Sequence, residues 1–86
     1  MKNRETLKYI LSQIIERKLE SNQPPEISQA YYRLTETEAF TDDEARMLIS
    51  RALEIELFKL MRFAEPFNMF RFKRNLKRLP ELPALD

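Results

Sequence analysis

Residues 41–66 read TDDEARMLISRALEIELFKLMRFAEP, and this stretch decides the fold. Thr41-Asp42-Asp43-Glu44 is a capping box: the Thr41 hydroxyl accepts from the Glu44 N–H while the Glu44 carboxylate reaches back to the Thr41 N–H. The three acids also sit where a helix dipole is positive. Pro66 cannot continue a helix, and the residue before it is turned away from helical geometry. Between these signals about 22 residues form one helix, 42–64, spanning about 33 Å at 1.5 Å per residue. At about 100° per residue, Ala45, Ile49, Ala52, Leu53, Leu60 and Phe63 gather on one face, and Leu48, Ile55, Leu57 and Phe58 widen it. So broad an apolar face predicts a central helix touched from several sides.

The flanking sequence supplies the helices that cover it. Over 3–20, Leu7, Ile10, Leu11, Ile14, Ile15 and Leu19 follow the i, i+3, i+4, i+7 spacing of a buried stripe, with Lys18 on the same side. Pro24-Pro25-Glu26 starts a second helix, 24–36, because a proline in the first turn removes an N–H that had no partner. Its inward face is Ile27, Ala30, Tyr31 and Leu34, with Tyr32 at the edge. Asn68 caps a fourth helix, 68–79, with Met69, Phe72, Leu76 and Leu79 as its apolar stripe. Pro80 and Pro83 predict an extended tail over 80–86, with Leu82 and Leu85 lying back on the body. The expectation is a single all-α domain covering 1–86: four helices, compact and antiparallel, the long third one central.

Composition limits the chemistry. The 86 residues include neither histidine, cysteine nor glycine. That removes thiolate metal sites, disulfides, and the phosphate-cradling loops of nucleotide-binding motifs. Without glycine, the helices are expected to end at Asn22 and at the prolines. Absence of cysteine is most simply read as a reducing, cytoplasmic setting. No 18-residue apolar span is present, so no membrane partner is expected. So short a chain buries a limited share of its surface, which makes self-association an expected supplement to its stability.

Candidate sites were weighed against structural roles. Asp42, Asp43 and Glu44 lack the loop oxygens and turn glycine of a calcium site, and capping accounts for them. Glu54 and Glu56, about 200° apart on a helix, cannot share a proton. Ser12, Ser28 and Ser50 have no histidine to act as base. Tyr9, Tyr31, Tyr32 and Phe40 fit packing better than a ligand cage. No catalytic residue, cofactor or metal site is expected, and the protein is not read as an enzyme. Glu56 stands apart, because an acid within the third helix's apolar face needs a buried partner. Arg33, Tyr31 and Lys18 are the candidates, and such a carboxylate is expected to tolerate Glu56→Gln but not Glu56→Ala.

Residues 22–79 resemble a small uncharacterised bacterial helical domain. The resemblance is carried by Gln23-Pro24-Pro25-Glu26-Ile27, Tyr32-Arg33-Leu34, Asp43-Glu44-Ala45, Glu56, Phe67-Asn68, Leu76 and Leu79. The family pattern is Gly-x-Pro-Pro-Glu-Val, Arg-Leu, His-Glu-Ala-x-His and a Leu-rich last helix, and it implies no biochemical activity. Where that pattern has two histidines one helical turn apart this chain has Asp43 and Met47, which do not make a zinc pair. Asn22 stands where the pattern has glycine.

The charges balance to +1 overall but are segregated. Between positions 59 and 78 seven basic residues face Glu65 alone. With Arg71 at 0°, Lys73, Lys77, Arg74 and Arg78 fall at about 200°, 240°, 300° and 340°, opposite a stripe at about 80–160°. Phe70, at about 260°, lies inside the basic arc. The expected contact surface is Phe70, Arg71, Lys73, Arg74, Lys77 and Arg78. Its expected use is protein binding or self-association, with nucleic acid as the alternative partner.

Overall fold

Thr41 opens the longest helix, α3 (Asp42–Phe63), with its Oγ1 accepting from the Glu44 N–H at 3.1 Å and Glu44 Oε1 accepting from the Thr41 N–H at 2.9 Å. A computed structural model describes residues 3–21 and 24–82. Among them the fold is all-α, with four helices and no strand. α1 runs Asn3–Ser21, α2 Pro25–Tyr32 and α4 Met69–Arg78. A π-helical turn, Arg33–Thr37, prolongs α2 where the sequence predicts an ordinary helix end. α3 packs against α1, α2, the π turn and α4 and is the hub of the fold. α1 and α4 both rest on α3 without packing on one another.

The core lies where these helices meet: Leu11 and Ile15 of α1, Ile27 and Ala30 of α2, Leu34, then Ala45, Ile49, Ala52 and Leu53 of α3, and Phe72, Leu76 and Leu79 around α4. Burying each large side chain contributes roughly 1.5–3 kcal/mol before the cost of ordering the chain is subtracted. The face of α3 ends sooner than its periodicity predicts. Leu60 and Phe63 remain 43% and 49% exposed.

Helix ends also depart from expectation. Asn22 and residues 83–86, including Pro83, lie outside the described residues. At the other two ends alanine does what glycine usually does: Ala39 and Ala64 take the left-handed conformation, at φ 61° and 55°. Each costs roughly 1–2 kcal/mol for its Cβ. The carbonyls of the preceding turns are nonetheless satisfied, by Glu38 N–H to Arg33 O at 3.1 Å and Glu65 N–H to Lys59 O at 3.2 Å. The chain after α4 does not extend at once as predicted. It turns at Arg78–Glu81, with Glu81 N–H donating to Arg78 O at 3.0 Å, and returns Leu82 to the core. Arg33 secures this end by donating through Nη2 to the carbonyl of Leu79 at 2.6 Å.

Candidate interaction surface

Asn68 caps α4, its Oδ1 accepting the Arg71 N–H at 2.9 Å. The same helix start lies where α3 presents Glu56. The Glu56 side chain is enclosed, and it accepts three hydrogen bonds: from Asn68 N–H at 2.9 Å, Arg71 Nε at 2.6 Å and Arg71 Nη2 at 2.9 Å. Burial alone pushes the Glu56 carboxyl up, but the Arg71 guanidinium and the Asn68 N–H outweigh it and hold it below the usual carboxylate range. The carboxylate bonds raise Arg71 further, against the opposing effect of its partial burial. Glu65 adds a second acid to Arg71 at 3.6 Å.

The partner of Glu56 is therefore Arg71, which the angular count had placed on the outer basic arc. None of the three expected partners reaches the carboxylate. Arg33 serves the end of α4 and pairs with Glu38 at 3.2 Å. Tyr31 donates to Asp42, which Arg46 also contacts. Lys18 lines a cleft instead. The buried arc of α4 is turned toward Arg71 relative to the stripe read from the sequence. It runs Arg71, Asn75, Leu79, Phe72, Leu76, and Met69 at the far edge is left 44% exposed. Asn75 is enclosed there with neither amide atom paired to protein.

The remaining surface residues are placed as follows. Arg74, Lys77 and Arg78 are exposed, while Lys73 is half-buried and approaches Glu26 at 3.9 Å. Phe70 is 76% exposed. It does not fold back on Phe67, whose ring meets Phe72 edge-on at 5.6 Å. Periodicity missed the neighbouring apolar group at the end of α3. Met61 is 82% exposed, and Phe63 meets Phe58 edge-on with the Arg62 guanidinium 5.9 Å from both rings. The available signal was the density of large apolar residues at 55, 57, 58, 60, 61 and 63, which wraps the helix and cannot all face one core.

No family model matches this chain, and no curated protein or solved structure matches it either. What it does must be argued from this surface. Among the described residues no group of three acids is arranged to hold a metal ion, and no helix is long and apolar enough to cross a membrane. A concavity of about 270 Å³ lies between α1 and α4 and is lined by Ile14, Lys18, Pro24, Leu53, Phe67 and Met69, among others. Among the described residues Lys18 is its one charged lining residue, with no acid beside it to form an acid–base pair.

Proposed function

We propose that the protein is a non-catalytic interaction module that docks a protein partner through the α3–α4 corner and the outer face of α4. The observation that carries this reading is the exposure of Leu60, Met61 and Phe63 at the end of α3 and of Met69 and Phe70 at the start of α4, on either side of the α3–α4 turn. Large apolar side chains clustered in this way mark contact surfaces, and aromatic anchors ringed by cations are a common form of hot spot. Arg62, Arg74, Lys77 and Arg78 supply that ring. Arg71 is withdrawn from it, since its role is to hold α4 on Glu56.

The test is capture from an extract of the native cell, with partners identified by mass. Phe70→Ala combined with Arg74→Glu is expected to abolish capture while leaving the helical circular dichroism and melting temperature nearly unchanged, because both residues are exposed. Unaltered capture by the double variant places the function elsewhere. The exposed cations also favour a second reading, nucleic-acid binding through α4. That reading requires retention on nucleic acid that falls steeply with added salt, whereas a partner seated on the apolar corner stays bound.

A further inference from the structure

The cleft between α1 and α4 has a defined chemistry and faces solvent. Its floor is Ile15, Ile27 and Leu53, and its walls are Ile14 and Lys18 on α1 and Met69 on α4. At about 270 Å³ it falls just under the 300–1,000 Å³ typical of small-molecule pockets and has the scale of one or two apolar side chains. On α1, Ile10, Ile14 and Lys18 are successive i+4 neighbours, so the wall continues about 12 Å along the helix, two turns. Ile10 is 47% exposed along that line. This is the shape taken by an amphipathic helix with i, i+4, i+7 anchors.

Charge selects the occupant. With Lys18 at 0° on α1, Ile14 and Ile10 fall at about 320° and 280° and Arg17 at about 260°, whereas Glu16 and Glu20 fall at about 160° and 200°, on the far side. Among the described residues Lys18 and Arg17 have no carboxylate partner within ion-pair distance. On α4, Lys73 approaches Glu26 of α2 at 3.9 Å, so these two charges offset one another and Lys18 is the charged lining residue left among those described. A second copy docked symmetrically would bring Lys18 and Arg17 against their own mates. Docked head to tail, it would form an open chain rather than a closed assembly. Nucleic acid finds almost nothing polar in the cleft to read.

We propose that this cleft receives the apolar side chains of an acidic amphipathic segment of another protein, with Lys18 and Arg17 meeting its carboxylates. The inference rests on the interaction-module reading and adds a second contact surface, with the chemistry of its occupant, to the α3–α4 corner.

Selection of displayed random 16-residue peptides on the full chain tests it. Enriched sequences are expected to be net acidic, with large apolar residues at i and i+3 or i+4. One such peptide, labelled and titrated by fluorescence anisotropy, is expected to bind about tenfold more weakly to Lys18→Glu and to Met69→Glu. Both variants should keep wild-type circular dichroism, and a peptide with its acids changed to lysine should regain affinity for Lys18→Glu. Enrichment of neutral or basic sequences through the cleft overturns the acidic partner while leaving the module reading intact. Binding unaffected by both variants overturns the cleft as the site. Competition by a 20-nucleotide single strand that outbinds the peptide, or a concentration-dependent doubling of mass that Met69→Glu abolishes, overturns an acidic protein segment as the occupant. Failure to enrich any peptide overturns the proposal, and the capture experiment on the Phe70 and Arg74 variant then judges the module reading separately.

Discussion

Every contact to the Glu56 carboxylate comes from a donor, which sets the outcome of its replacement. The sequence alone favoured Glu56→Gln as a mild change. The geometry reverses that expectation, because glutamine offers one acceptor oxygen and turns an NH2 toward Arg71 or the Asn68 N–H. We expect Glu56→Gln to cost about 1–3 kcal/mol and Glu56→Ala more, measured by urea denaturation at pH 7. The folded carboxyl lies below its unfolded value, so its stabilisation is complete above the unfolded value of about 4.3 and is lost as pH falls through the folded one. The gap between wild type and Glu56→Gln should therefore narrow below about pH 4, a gap that stays constant in acid being the contrary result. Some acid sensitivity should persist in the variant. Asp42 is also held low, first by the Tyr31 hydroxyl and then by Arg46. Thr41→Ala removes one arm of the capping box and is expected to lower stability by about 0.5–2 kcal/mol, read as a reduced denaturation midpoint.

Among the helices, the two alanine turns are the least comfortable features. Ala64 at φ 55° ends α3 and aims the chain toward Asn68, so the α3–α4 corner depends on a conformation that alanine adopts at a cost. Ala64→Gly removes the Cβ contact but frees the unfolded chain, so the net gain should be about 0.5–1 kcal/mol. Calorimetry reads this as a raised melting temperature, and a lowered one would show that the turn is not limited by its side chain. The same substitution leaves Phe70 and the cations of α4 in place, so partner capture should persist.

Across the whole molecule, stability depends on the packing around α3. α3, like α2, touches every other helix, and its midpoint is filled by Ile49 and Ala52, both enclosed. Ile49→Ala should cost about 2–5 kcal/mol, comparable with the whole margin of so small a domain. Circular dichroism at 25 °C should then show a substantial unfolded population. Ile10→Ala, on the half-exposed edge of α1, should change stability by about 0.5 kcal/mol or less. Equal effects from the two would mean that α1 is buried by a partner or a second copy in solution, because the isolated fold leaves Ile10 in water.

Local sequence was sufficient wherever the signal is a contact between near neighbours. The Thr41–Glu44 box, the proline start of α2, the Asn68 cap and the four helical spans are properties of segments a few residues long, and periodicity was enough to expect Glu56 inside. Tertiary structure decided what depends on the rotation and reach of one helix against another. It took Arg71 from the basic arc to Glu56, left Met69, Leu60 and Phe63 in solvent, and opened a cleft where α1 and α4 fail to meet. A helical wheel gives the angles between side chains on one helix but not the direction in which the helix is turned. That direction is set by Glu56, which accepts from Arg71 and the Asn68 N–H; Glu56 and Arg71 lie 15 residues apart and meet only once the chain is folded.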